Sequence, residues 1–241
     1  MTGNLERPTA VADAPLRGRG PGRCILELTG LRHQWKPKLP PVLDDVSLSL
    51  YPGTVTWIGG RNGVGKTTLL RIAAGILIPQ AGTVRLTGLD PIGDRGPYQR
   101  RLGFLSAGDR GLNARMNVTQ QLDYWARLAY VPRARRAGTV AEAVTTFGLE
   151  ELANRRVDRM SMGQRQRVRL AMALLHAPRL ILLDEPRNSL DEEGYAILNH
   201  EITAAANRGA AVLWCSPRGE DRAVHSDASY SLEHGRLERH E

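Results

Sequence analysis

Aromatic residues are scarce in this chain, at 5% of the sequence, and only two of them are phenylalanine. The basic runs RRAGT, NRRVDR and GQRQRVR are short and interrupted, and none is interleaved with aromatics. That argues against a groove that stacks the bases of a single-stranded nucleic acid. Cysteine is nearly absent. Cys24 and Cys215 each sit in an apolar, strand-like run, with neither metal-site spacing nor a CxxC partner. Both are expected to be buried packing residues in a reducing compartment. No stretch approaches the ~20 consecutive apolar residues of a membrane span. Residues 1–23 are rich in Pro, Gly and Arg and lack the apolar core of a signal peptide, so they are expected to form a disordered lead-in. These absences point to a cytosolic chain whose membrane role, if it has one, needs another chain. Acidic residues are in deficit, 25 against 33 Lys and Arg, for a net charge of +8. An anionic partner fits this excess. Arginines scattered over solvated faces fit it too, and the interrupted runs favour that reading over a nucleic-acid patch.

What is present alternates between strand and helix patterns. CILELT, LDDVSLSLYPG, TVTWIGG, AGTVRLTG and RLGFLSA read as strands bounded by Gly and Pro. TTLLRIAAG has helical spacing and stops at Gly75. Asn117 with Gln120 forms a capping box, followed by Val118, Leu122, Trp125 and Ala129 on one helix face. Thr139 with Glu142 predicts a second box opening AEAVTTFG. Residues from about 107 to 165 therefore read as a mostly helical lobe inserted in an α/β frame. GQRQRVRLAMALLHA follows, with Val168, Ala171, Met172 and Leu175 on one face, and then RLILLDEP, a continuous apolar run ending in acids, as a central parallel strand reads. DEEGYAILNHEITAAANRG predicts a helix with Tyr195, Leu198, Ile202 and Ala205 inward. AAVLWCS predicts a buried strand, and ASYSLEHGRLE a hairpin turning at Gly235. The alternation argues for a mostly parallel sheet.

Three motifs carry chemistry. GRNGVGKT, Gly60 to Thr67, fits G-x-x-x-x-G-K-[ST] with a strand before it and a helix after. Glycines 60, 63 and 65 let the backbone close around phosphate. Arg61, Asn62, Val64 and Thr68 complete the loop. Lys66 is expected on the β- and γ-phosphates and Thr67 on Mg²⁺. A dinucleotide fingerprint is disfavoured, because Lys66-Thr67-Thr68 replaces its third glycine. In LILLDEP, Asp184 stands at a strand end as a Mg²⁺ contact, and Glu185 as the group that orients or deprotonates the attacking water. Paired acids after a strand often only open a helix; beside a phosphate loop the balance reverses. RMSMGQRQRVRLA places Ser161, Gly163 and Gln164 at a helix start, where free N–H groups can face phosphate. A plain helix cap is the other reading of Ser161.

The order GRNGVGKTT, MSMGQRQRV, LILLDEP, NSLDEEG resembles the ATP-binding subunit of an ABC transporter, over nearly the whole chain from residue 24 to 241. The signature is similar to LSGGQ, written here Met160-Ser161-Met162-Gly163-Gln164. The resemblance implies a P-loop NTPase core with an antiparallel β subdomain and an inserted helical subdomain, the ABC ATPase fold. It implies ATP and Mg²⁺ as ligands and a second ATPase subunit, the same chain or another, paired head to tail. It also implies an integral membrane permease holding the chain on the inner face of the cell membrane. Trp35, in LRHQW, matches the aromatic that stacks on adenine; packing is its plainer reading. Asn188 to Asp191 match the loop that carries communication across the dimer. Trp125, Leu128 and Tyr130 are placed either to meet the permease or to pack a core.

Two positions depart from the family. Its glutamine after the strand LGFLSA is missing, and the chain reads Ser106-Ala107-Gly108-Asp109. Asp109 or Ser106 could stand in as a water-mediated metal contact. The string from Phe104 to Leu128 resembles bacterial exporters with separate ATPase and permease chains, which points to export. In VLWCSP, Pro217 stands where the family has a histidine that reaches the γ-phosphate, and His200 and His225 are out of register. Slow but real hydrolysis is expected. A soluble assembly or scaffold ATPase and a binding-only subunit are the alternatives. A nucleic-acid-linked ATPase is disfavoured, since the chain has neither tandem cassettes nor a coiled-coil insertion.

Overall fold

A computed structural model of the chain describes residues 24–108, 111–217 and 225–240. The lead-in at 1–23 and Asp109 lie outside the described residues. The strands are β1 (Leu26–His33), β2 (Leu43–Leu50), β3 (Val55–Gly59), β4 (Ala81–Leu86), β5 (Leu102–Leu105), β6 (Leu180–Asp184), β7 (Ala211–Ser216), β8 (Ala228–Glu233) and β9 (Arg236–His240). The helices are α1 (Lys66–Ala73), α2 (Arg95–Gln99), α3 (Val118–Leu128), α4 (Arg133–Thr146), α5 (Met162–Leu174) and α6 (Glu192–Asn207), with 3₁₀ turns at Glu150–Leu152 and Val157–Arg159.

The strands form two sheets. One is antiparallel, in the order β2-β1-β4. The other runs β5-β6-β7-β3-β8-β9, parallel from β5 to β8, with β9 returning antiparallel through the turn at His234 and Gly235. Every residue of β3, β6 and β7 is buried. This is why these strands read as continuous apolar runs rather than alternating ones: helices cover both faces of a parallel sheet.

Successive side chains still point to opposite faces. Leu180 and Leu182 join the core shared with α1 and the antiparallel sheet, through Leu69, Leu70 and Ile72. Ile181 and Leu183 join the core built with α3 to α6, through Leu122, Val168 and Leu198. On β7, Leu213 and Cys215 face the first core, while Val212 and Trp214 face the second. This parity decides which strand-end residues can meet α1.

Asn117 caps α3 with the expected reciprocal box: its side chain accepts from the Gln120 N–H, and the Gln120 side chain accepts from the Asn117 N–H. Trp125 is half-buried against the helical core, and Leu128 and Tyr130 are exposed. The Thr139–Glu142 box is not a helix start. α4 begins six residues earlier, after Pro132, and carries both residues in its interior. A Thr-x-x-Glu pattern caps only where the chain enters from extended backbone. Here the helix-favouring Arg and Ala residues from Arg133 to Ala137 have already committed it. Cys24 is only half-buried, before β1, with its thiol donating to the Leu26 carbonyl at 2.8 Å, whereas Cys215 is fully buried. The α2 turn has no apolar periodicity to announce it. Only Tyr98 is buried there, and its hydroxyl donates to the Ala73 carbonyl.

Gly103 sets how closely α5 can approach β5. A Cβ there would lie 2.3 Å from the Ala173 carbonyl oxygen and 2.8 Å from the Pro178 ring. Overpacking of this kind typically costs about 1–3 kcal/mol. Gly103→Ala is therefore expected to lower the thermal midpoint by several degrees in a calorimetric scan, and an unchanged midpoint would show that α5 shifts freely.

Candidate functional site

The site grows from the junction of β3 and α1. The loop from Gly60 leads to Gly65, whose φ of 117° turns the chain into the helix. No side chain caps α1. Its first-turn N–H groups, which have no intrahelical acceptor, are thus left to a ligand. The Lys66 side chain is buried and folds back across the loop, donating to the Gly60 carbonyl at 2.6 Å and to the Arg61 carbonyl at 3.1 Å.

The parity of β6 sends Asp184 to the α1 face, next to the first helical turn. There the Thr67 hydroxyl donates to Asp184 Oδ2 at 2.8 Å. Asp184 is 1% exposed, and its Oδ1 has no hydrogen-bond partner. Burial raises the Asp184 pKa, opposed by the Thr67 hydroxyl and the Ala107 amide, with Glu185 raising it further and Lys66 lowering it. A buried carboxylate with an unused oxygen beside a threonine hydroxyl is a donor set that suits Mg²⁺, a hard cation with oxygen ligands. The neighbouring Cys215 thiol is pushed well up, by burial first and then by Asp184, so it stays protonated and packs.

Glu185 follows in the left-handed region, at φ 50°. Its N–H is tied to the Cys215 carbonyl at 2.8 Å, and its Oε2 accepts from Asn188 Nδ2 at 2.7 Å. Non-glycine residues in this region store backbone strain of order 1–3 kcal/mol, and such strain clusters at working sites. A cleft of about 290 Å³ brings together Trp35, Val42, Asn62, Gly63, Gly65, Lys66, Thr67, Thr68 and Glu185. Trp35 is 53% exposed at this cleft, with its indole held edge-on to His33 at a centroid distance of 4.7 Å. His33 itself is buried, a support for Trp35 that no sequence pattern announces beyond its place two residues earlier.

Ser161 caps α5 by accepting from the Gln164 N–H at 3.2 Å, while the Gln164 side chain accepts from the Ser161 N–H at 3.1 Å. Ser161 therefore does cap the helix. Gly163 lies against the loop after β6: a Cβ there would come within 2.7 Å of the Ser189 carbonyl oxygen. None of Ser161, Gly163 and Gln164 lines the cleft that holds Lys66 and Glu185.

A family model described as ABC transporter matches residues 43–188. The chain is 34% identical over 206 residues to the ABC transporter ATP-binding protein NatA of Bacillus subtilis, covering 86% of this chain and 84% of that protein. This chain belongs to the ABC transporter ATP-binding family. It is also 38% identical over 168 residues to the taurine import ATP-binding protein TauB of Pseudomonas putida, covering 70% of this chain and 62% of that one. Among solved structures it resembles a dimeric, post-hydrolysis ATP-binding cassette bound to ADP and Pi. The TM-score is 0.79 with 23% identity, covering 90% of this chain and 97% of that chain, a likeness of fold. The two sheets and the helices between β5 and β6 are thus those of the ABC ATPase fold.

Within this ABC cassette, the ends of β5 and β7 are occupied by unexpected contacts. Ser106 is engaged by α5. Its carbonyl accepts from Arg169 Nη2, and the same nitrogen lies 3.4 Å from its hydroxyl. Ser216 accepts from the Trp57 indole N–H at 2.7 Å, and Pro217 follows it. Of the two out-of-register histidines, His200 is exposed on α6, 3.8 Å from Glu201. Among the described residues, no helix is long and apolar enough to cross a membrane.

Proposed function

We propose that this chain is the ATP-binding and hydrolysing subunit of an ABC transporter, dimerising on ATP to power a separate membrane permease in the export direction. The observation that carries the reading is the single cleft with Trp35 at its rim, the Gly60–Thr68 loop along it, and Glu185 beside Lys66. ATP fits it with adenine on Trp35 and the phosphates in the loop. Lys66 would leave the Gly60 and Arg61 carbonyls for the β- and γ-phosphates. Thr67 and Asp184 would hold Mg²⁺, which neutralises phosphate charge when bound. Glu185 would receive the proton of the attacking water.

Ser161, Gly163 and Gln164 lie outside their own chain's cleft, so in a head-to-tail dimer they would serve the partner's nucleotide. The related cassette with ADP and Pi is dimeric, which supports this pairing with a second copy or a similar subunit. The export direction rests on the Phe104–Leu128 string, and the permease would hold the chain at the cytoplasmic face of the membrane. Exposed Leu128 and Tyr130 are available on the helical side for that contact, whereas Trp125 is largely spent on packing. Pro217 in place of the family's histidine makes hydrolysis slow.

The test is equilibrium ATP binding to the purified chain. Base–aromatic stacking is worth ~1–3 kcal/mol, so Trp35→Ala is expected to weaken ATP by roughly 5- to 150-fold. Failure of the wild-type chain to bind ATP would overturn the reading; equal affinity of the variant would remove Trp35 from it.

A further inference from the structure

Gln166 and Arg169 lie one turn apart on α5, both only 6% exposed. Together they make a continuous hydrogen-bonded connection across the site. Gln166 Nε2 donates to the Pro186 carbonyl at 3.0 Å, one residue past Glu185. Arg169 Nη1 donates to Gln166 Oε1 at 2.6 Å, and Arg169 Nη2 donates to the Ser106 carbonyl. A guanidinium is charged at every working pH and is strongly anchored when buried among acceptors.

The Ser106 carbonyl belongs to the same peptide unit as the Ala107 N–H. In a planar trans peptide these two groups point to opposite sides. Fixing the carbonyl toward α5 therefore fixes the N–H on the side away from α5. Leu105 pairs with Leu183, so the next residues on the two strands, Ser106–Ala107 and Asp184, flank each other, and the Asp184 side chain lies on the α1 face, opposite the face that α5 covers. The Ala107 amide thereby faces the Asp184 carboxyl.

We propose that Arg169 is a positioning residue for the metal site, gripping the Ser106–Ala107 peptide so that its N–H orients the Asp184 carboxylate. The inference rests on the ATP and Mg²⁺ reading above. It gives the chain, which has Ser106-Ala107-Gly108-Asp109 rather than a glutamine directly after β5, a different means of fixing this carboxylate. The connection through Gln166 also ties Asp184 to the backbone beside Glu185, from a helix whose first turn carries Ser161 and Gly163.

Removing a partner that orients a metal ligand typically costs 10–100-fold in metal affinity. The experiment is binding of a fluorescent ATP analogue, first in EDTA and then titrated with Mg²⁺, to the wild-type chain and to Arg169→Ala, Arg169→Lys and Gln166→Met. Arg169→Ala is expected to raise the half-saturating Mg²⁺ concentration about tenfold or more while leaving affinity in EDTA unchanged. Arg169→Lys, which keeps a cation that can reach the Ser106 carbonyl, is expected to fall between. Gln166→Met is expected to shift the midpoint in the same direction by less. A merely structural role would lower binding in EDTA and in Mg²⁺ alike, and that outcome overturns the proposal, as does an unmoved midpoint. Where Arg169→Ala melts too low to assay, Arg169→Lys carries the test. A wild-type chain whose nucleotide binding ignores Mg²⁺ overturns the metal reading itself; a normal wild-type titration with unmoved variants overturns only the role of Arg169.

Discussion

Glu185→Gln is expected to abolish steady-state ATP turnover while leaving ATP binding intact. The side chain is held three ways. Its backbone is fixed in the left-handed region, its N–H is bonded to the Cys215 carbonyl, and its Oε2 is bonded to Asn188. Glutamine has the same shape and can keep all three. What it cannot do is take a proton. General-base assistance contributes roughly 10²–10⁴ in rate, so on the slow hydrolysis proposed above the variant is expected to fall to background. In the proposed binding mode nucleotide affinity comes from Trp35, Lys66 and the Gly60–Thr68 backbone, none of which this substitution alters. The check is phosphate release at saturating Mg²⁺–ATP beside equilibrium binding of the same preparations. Turnover of the variant within twofold of wild type would remove Glu185 from the chemistry. A wild type that binds ATP but releases phosphate only at the variant's background rate would instead identify the chain as a binding-only subunit whose complete site lies in a partner.

Pro217→His is expected to raise turnover, by up to ~10²–10³. Pro217 follows β7 directly, beyond Ser216, whose hydroxyl is engaged by the Trp57 indole N–H. Proline offers neither a side-chain donor nor an N–H, so nothing at this position can stabilise charge developing on a γ-phosphate. A histidine restores a donor at the end of a rigid, fully buried strand, and preorganised donors of this kind account for the quoted range. The gain should appear in kcat rather than in ATP affinity, because the contact matters most in the transition state. It should also vanish in the double variant with Glu185→Gln. Unchanged kcat in Pro217→His would mean that another step or another group limits this chain.

Much of the fold was legible because its signals are local. Asn117 and Gln120 are three residues apart, and their reciprocal bonds need only the helix they start. RLILLDEP announces a two-sided strand by composition. Gly60 to Thr67 carries its loop in its own spacing. The Thr139–Glu142 box misled for the same reason: the pattern is local, but whether it caps depends on the direction from which the chain arrives. The short α2 carries no period at all and exists because Tyr98 reaches the Ala73 carbonyl 25 residues away.

The sequence by itself determined the residue types of the candidate site: a phosphate loop, paired acids after a strand, a capped signature helix, and the two departures at Ser106–Asp109 and Pro217. Only the tertiary structure decided what these residues touch. The parity of β6 turned Asp184 toward Thr67, 117 residues away, and left one of its oxygens free. The register of β5 against β6, with α5 packed over Gly103, brought Arg169 to the Ser106 carbonyl, 63 residues away. The physical reason is that hydrogen bonds and buried charges are satisfied by whichever group lies within about 3 Å. Which groups come that close is set by sheet order and helix packing, where the partners are distant in the chain and carry no shared pattern within it.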